Sequence, residues 1–226
     1  HGYKTIFPTP LAQSASWNLD LIQQAERIAA IETSAAGINW TYAPMVDIAR
    51  DPRWGRVVEG AGEDPYLGSL IAKARVKGFQ GEGIGKLNTI ISCVKHYAAY
   101  GAAEAGRDYN TTDMSMQSLF NVYLKPYQAA VDAGVGSIMS AFNDLNGVPC
   151  TGNRFLLTDI LRNKWGFKGM VVTDYTAIPE MVEHRNVANE KEAAIAALNA
   201  GVDMDMQGSC YLHWLEEAYK EGKVTM

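Results

Sequence analysis

The sequence predicts an α/β fold with a parallel sheet, best closed as a (β/α) barrel that is incomplete within these 226 residues. Three observations predict it. Short apolar, β-branched runs alternate with helix-like stretches about every 30 to 50 residues, the rhythm of βαβ crossovers. No Gly-x-Gly-x-x-Gly follows the first strand-like run, which weighs against a dinucleotide-binding sheet. Polar residues gather at the C-terminal ends of the runs, the end that forms the ligand-binding mouth when such strands close.

Thr5-Ile6-Phe7 reads as a strand end before Pro8-Thr9-Pro10. Asn18 is placed to cap a helix from Leu19 to about Ala36, with Leu19, Ile22, Ala25, Ile28 and Ala29 at helical spacing and Gly37 as its stop. Ile38 to Val46 returns as a strand broken by Pro44, and it delivers Asp47. Arg50 to Asp64 is a charged, Gly-rich loop, and Pro65 opens a helix to about Gly81. Thr89 to Val94 is a strand ending in Lys95-His96-Tyr97. Beyond a long loop from Gly101 to Thr112, Asp113 or Ser115 caps a helix through about Ala133, closed by Gly134.

Ser137 to Ala141 is the next strand, ending at Phe142-Asn143, and Thr158 caps the helix that stops near Lys164. Gly166 breaks the chain before Met170-Val171-Val172-Thr173, a short apolar strand that presents Asp174 and Tyr175 at its end. Asn189 caps Glu190 to Ala200, Gly201 ends it, Val202 to Met206 is the last strand, and Leu212 to Lys220 is an amphipathic helix. That makes about six strands, too few to close an eight-stranded barrel. No linker divides the chain, so residues 1–226 read as one domain.

Composition narrows the function. A hydrophobic content of 47% and 20% charged residues are ordinary for a globular protein. The net charge of −5 offers no basic field for nucleic acid and no polybasic patch for a membrane surface. No apolar run is long enough to span a bilayer. Cys93, Cys150 and Cys210 stand too far apart for a disulfide framework or a metal knuckle. No His-Glu-x-x-His or comparable ligand cluster occurs, and the chemistry below requires neither metal nor organic cofactor. The chain opens at His1 rather than Met and stops after a helix-like segment, so the reading expects a portion of a longer protein.

If the strands close into a barrel, Asp47, Lys95-His96, Phe142-Asn143 and Asp174-Tyr175 share one mouth. Both signs of charge then meet there, and Lys95 is expected to compensate Asp174. Bland readings stand beside this one. Asp174 could cap a short following helix. His96 alone reads more readily as a satisfied structural histidine than as a metal ligand. Arg50, Arg53, Glu59, Glu63 and Asp64 read as ion pairs bracing their loop, and Asp203 and Asp205 as polar groups on the rim. Arg107 and Tyr109 are further candidates for reaching a ligand.

Taken together, several motifs resemble glycoside hydrolase family 3, and lie nearest its bacterial β-glucosidases of the periplasmic type. They are His1-Gly2-Tyr3-x-Thr-x-Phe-Pro, Ala43-Pro44-Met45-Val46-Asp47, Asp51-Pro52-Arg53-Trp54-Gly55-Arg56, Gly62-Glu63-Asp64-Pro65, Cys93-Val94-Lys95-His96-Tyr97 and Val172-Thr173-Asp174-Tyr175. They run through essentially the whole chain in the family's order. The resemblance implies a TIM-like (β/α)8 barrel and a retaining, exo-acting β-glycosidase, a β-glucosidase with β-xylosidase or dual activity as the variant. It implies Asp174 as the nucleophile that forms a covalent glycosyl–enzyme intermediate. Arg56, Lys95 and His96 would bind hydroxyls of the terminal sugar, Tyr175 would line the site, and Met139 and Phe142 would form another wall. Many relatives carry Tyr at that last position.

The chemistry suits these residue types. Retention pairs an ionised carboxylate with a second carboxyl about 5–5.5 Å away that protonates the leaving group. Lys95 and Arg56 would favour the charged form of Asp174, and a guanidinium fork reads vicinal hydroxyls better than an ammonium does. The implied partner is a β-linked oligosaccharide or β-glucoside, in the periplasm or outside the cell.

Two family parts lie outside these residues: a sugar-binding Asp a few positions before His1, and the acid/base Glu of a second domain. The 226-residue piece is therefore expected to be nearly inactive by itself. A subgroup acting on N-acetylglucosaminides carries a second His after Lys-His. Lys95-His96-Tyr97-Ala98-Ala99-Tyr100-Gly101 has none, which rejects that activity. Rival readings are a non-catalytic sugar-binding module and an aldolase-like barrel with Lys95 as its Schiff base.

Overall fold

β1 (Cys93–Tyr97), β2 (Ser137–Ser140), the short antiparallel pair β3 (Asp144–Leu145) and β4 (Val148–Pro149), and β5 (Met170–Val172) are the strands of a computed structural model that describes residues 4–225. His1-Gly2-Tyr3 of the motif series lies outside the described residues. β1, β2 and β5 form a parallel sheet in that order. Isolated parallel bridges extend it on both sides: Trp40 to Ile91 and Met45 to Lys95 on one edge, Val172 to Met204 on the other. Among the described residues, five chain segments thus lie parallel and in sequence order. This is an incomplete TIM-like (β/α)8 barrel.

The sheet is apolar on both sides, as a parallel sheet covered by helices must be. Val94, Ile138, Val171 and Val172 have no exposed surface. The helices are α1 (Pro10–Ser14), α2 (Leu19–Ala35), α3 (Pro65–Gln80), α4 (Met116–Ser118), α5 (Lys125–Asp132), α6 (Ala177–Glu183), α7 (Glu190–Ala200) and α8 (Cys210–Lys220). Two further segments, Leu119–Tyr123 and Phe155–Lys164, are wound as π-helix. Pro126, which has no N–H to donate, follows the first of these and opens α5.

Local signals set most helix starts. Asn18, Asp64, Ser115 and Asn189 each accept a hydrogen bond from a main-chain N–H in the following first turn. α2 and α3 cross so closely that a Cβ on Gly78 would lie 2.6 Å from the Gln23 carbonyl oxygen. Beside that crossing, Arg75 Nε and Glu26 Oε1 form a buried ion pair at 2.6 Å.

Four sequence expectations change. Thr5-Ile6-Phe7 is not a strand: Ile6 is 94% exposed, and Thr5 is held from its main-chain N–H and hydroxyl by the Glu32 carboxylate on α2. Thr158 does not cap the Phe155–Lys164 helix. It lies inside that helix and donates to the Ala200 carbonyl, while Asn153 accepts from Leu156 N–H at the helix start. The third predicted strand begins later than Thr89, because its hydrogen bonds are decided by the register with Ser137 and Ile138. Lys95 and His96 consequently sit within β1, where the pairing register slips between Val94 and Tyr97. Irregularities of this kind re-aim side chains. Finally, the described parallel segments number five where about six were expected.

Candidate active site

A buried carboxylate anchors the mouth of the sheet. Asp47 follows the Met45 bridge and is 1% exposed. Its Oδ2 accepts the main-chain N–H of His96 at 3.0 Å and lies 2.8 Å from His96 Nδ1. The Tyr127 hydroxyl on α5 reaches Asp47 Oδ1 at 2.6 Å and shares its proton with the His96 carbonyl. Burial first, and then the Asp47 charge, push the Tyr127 phenol well above its usual range. An element outside the sheet therefore clamps the strand that carries His96.

The cationic side is built by the loop before α3. Arg56 Nε and Nη2 donate to the two oxygens of Glu59 at 2.7 and 3.1 Å, and Lys95 Nζ stands 3.9 Å from Glu59 Oε2. Burial would raise the Glu59 carboxyl, but the hydrogen bonds and charge of Arg56, with the charge of Lys95, hold it below the usual glutamate value. The same pairing outweighs burial at Arg56 and raises the guanidinium. Trp54, in the turn just before Arg56, donates its indole N–H to Asp108 at 2.8 Å and packs edge-on against Tyr100. Arg56 lies over the Tyr100 ring at 5.6 Å. Two loops are thereby tied across the mouth.

β5 delivers Asp174 opposite this group. Its Oδ1 accepts the Tyr175 N–H at 2.7 Å, and its Oδ2 lies 3.3 Å from His96 Nε2. That second oxygen is buried and without a hydrogen bond, the His96 contact being close but misdirected. Arg56 Nη2 approaches the same Nε2 at 3.1 Å. The side chain of Asp174 makes no cap for α6, whose N-cap residue is Thr176, so the capping alternative falls. One helical turn on, Glu180 accepts from Thr176 Oγ1 at 3.1 Å, and burial and the charge of Asp174 raise its carboxyl. An aromatic shelf completes the mouth: Tyr109 and Phe142 rings lie 4.3 Å apart at 34°.

The model of the glycosyl hydrolase family 3 N-terminal domain matches residues 1–226. The chain belongs to glycoside hydrolase family 3. It is 49% identical, over its whole length, to a periplasmic β-glucosidase of Salmonella typhimurium, of which it covers 30%. It is 41% identical over 211 residues to a β-xylosidase of Formosa agariphila, matching 91% of this chain and 29% of that protein. A solved β-glucosidase from Listeria innocua in complex with glucose superposes with a TM-score of 0.97 at 45% identity, covering all of this chain and 32% of that one. The chain thus spans about a third of the length of these family 3 relatives.

Within the family 3 chain, the structure brings Arg56, Lys95, His96 and Asp174 together as the sequence predicted. Phe142 is close by, on the Tyr109 shelf, and Tyr175 points outward at 57% exposure. Met139 differs: it is 2% exposed and packs with Cys93 and Val172 inside the sheet, beneath the mouth. Lys95 also differs, since its ion pair is made to Glu59 rather than to Asp174. Asp203 pairs with Arg162, and Asp205 accepts N–H groups of Gly208 and Tyr211, so both brace local structure. Of the loop charges, Arg53 pairs with Asp51 and Asp64 caps α3, whereas Glu59 belongs to the site.

Sequence reading set Asp47 at the mouth without a role, and it did not bring Glu59, Tyr100, Tyr127 or Glu180 there. The signal at Asp47 is that it follows a strand-like run, as Asp174 does. Tyr127 and Glu180 carry no such signal, because each reaches the mouth from a helix face that only packing selects.

Proposed function

We propose that this chain is the barrel portion of a retaining, exo-acting β-glycosidase, a β-glucosidase that removes terminal non-reducing β-D-glucosyl residues. One observation carries the reading. Asp174 presents a buried, unbonded carboxylate oxygen at the strand mouth, 3.3 Å from His96 and within the group formed with Arg56 and Lys95. A carboxylate oxygen lacking a protein donor keeps its lone pairs for an electrophile.

In the proposed reaction that oxygen attacks the anomeric carbon as the glycosidic bond breaks, and the leaving oxygen takes a proton from an acid. Water, deprotonated by the same group, then releases the sugar with retained configuration. Arg56, Lys95 and His96 hydrogen-bond ring hydroxyls. Phe142 with Tyr109, and the outward Tyr175, offer aromatic faces to the C–H side of a pyranose. The acid/base Glu comes from a second domain of the full-length chain, so residues 1–226 alone turn over little substrate. A periplasmic location is proposed from the Salmonella relative. β-Xylosidase activity is the second reading, favoured by the Formosa relative.

The test is made on the full-length protein. A 2-deoxy-2-fluoro-β-glucosyl fluoride should attach to Asp174, read by peptide mass spectrometry, and Asp174→Asn should abolish both labelling and turnover. Labelling that persists in Asp174→Asn would remove the nucleophile assignment.

A further inference from the structure

We propose that Asp47 is a positioning residue: it fixes His96 in the Nδ1–H form, so that a bare Nε2 faces Arg56 and Asp174. The catalytic consequence rests on the glycosidase reading of Asp174, but the assignment of the proton does not.

Two acceptor–donor constraints decide the ring's protons. Asp47 Oδ2 is 2.8 Å from Nδ1, and an ionised carboxylate only accepts, so Nδ1 must donate. Arg56 Nη2 is 3.1 Å from Nε2, and a guanidinium only donates, so Nε2 must accept. A proton on Nε2 would set two donors against each other at that distance. Asp47 itself is rigidly held, being 1% exposed and bonded also to the His96 main chain and the Tyr127 hydroxyl. The ring plane is braced edge-on by Tyr100 at 5.1 Å.

The result is a directed chain of hydrogen bonds, from Glu59-held Arg56 into Nε2 and from Nδ1 into Asp47. It seats the guanidinium and leaves the Asp174 oxygen uncapped. The opposite tautomer would unseat the guanidinium: its Nε2–H would face the Arg56 N–H at 3.1 Å, donor against donor, and push Arg56 away. A carboxylate that selects one imidazole tautomer is a known device for orienting a working histidine.

The test uses full-length protein labelled with 15N-histidine, the His96 signals being assigned by their loss in His96→Gln. Wild type should show a protonated Nδ1 and a bare Nε2, distinguished by coupling of Nε2 to both ring C–H protons. In Asp47→Asn the carboxamide can donate to Nδ1, so the ring should flip to Nε2–H. Labelling by the fluoro-sugar should then slow by about 10²-fold, less than a wrong tautomer costs where the histidine itself carries the proton. Slowed labelling without a change of tautomer would reduce Asp47 to a packing role and overturn the proposal. The wild-type spectrum needs no variant to fold: Nε2–H in an active glycosidase refutes the inference and spares the glycosidase reading. Nδ1–H in a protein that cleaves no β-glycoside supports the assignment and faults that reading.

Discussion

Glu59 grips Arg56 with both carboxylate oxygens, at 2.7 Å to Nε and 3.1 Å to Nη2. Arg56 Nη2 then has only one direction left for a further contact, and it meets His96 Nε2 there. Lys95 answers to the same carboxylate at 3.9 Å. The positions of Arg56 and Lys95, both proposed to bind sugar, therefore depend on one acid.

Glu59→Gln should act on binding more than on chemistry. The amide keeps one acceptor but loses the charge and the two-pronged geometry. Glu59 is 37% exposed, so the loss lies at the low end for a charged hydrogen bond, about 1.5 kcal/mol, or roughly tenfold in KM. Steady-state kinetics on an aryl β-glucoside should show KM rising with kcat changed less. An equal fall in kcat and kcat/KM with KM unmoved would place Glu59 in the transition state instead.

The same clamp predicts a pH dependence of stability. The folded Glu59 carboxyl sits below its ordinary value, chiefly because Arg56 overcomes the effect of burial. Its contribution is present above the unfolded glutamate value of about 4.3 and is lost as pH falls through the lower folded value. Tm followed from about pH 6 to about pH 3 should drop less steeply in Glu59→Gln than in wild type, a range set by those two values. Parallel curves would remove Glu59 from the acid limb.

How far these residues could be foreseen depends on the range of the interaction that places them. Asn18, Asp64 and Asn189 cap their own first turns, so the local sequence contains the whole cause. Asp174 was legible because it ends a short, fully apolar strand. The limits of β1 were not, since pairing with β2, some forty residues on, selects Cys93–Tyr97 over the more apolar Thr89–Val94. Thr158 has the chemistry of a cap, yet its bond to Ala200 is available only once α7 has packed. The Asp47–His96 contact spans 49 residues, and neither partner's neighbours announce the other. The β3–β4 turn, Asn146-Gly147, carries a plain hairpin signal in its two residues.

Gly78→Ala should destabilise the protein without touching the mouth. The added Cβ would sit 2.6 Å from both Gln23 O and Glu26 Cβ, and helix backbone cannot yield as a flexible side chain can. α2 and α3 must separate, at about 1–3 kcal/mol, the usual cost of overpacking a filled interface. Thermal unfolding should report the loss while KM for an aryl glucoside stays near wild type. An unchanged Tm would mean that this crossing is looser than its geometry states.

The Arg75–Glu26 pair beside that crossing gives a prediction whose sign changes with the number of substitutions. Both side chains are more than nine-tenths buried, and Nε–Oε1 is 2.6 Å. Removing one partner strands a dehydrated charge, so Glu26→Leu alone or Arg75→Met alone should cost about 3–5 kcal/mol. Replacing both by apolar residues of similar volume removes the pair and its desolvation together, so Glu26→Leu with Arg75→Met should lie near wild type or above it. Chemical denaturation of the two single variants and the double variant closes the cycle, with a double-variant loss far smaller than the sum of the single losses. Additive losses would mean that each residue acts through its own packing, and that the ion pair as such contributes nothing to the α2–α3 interface.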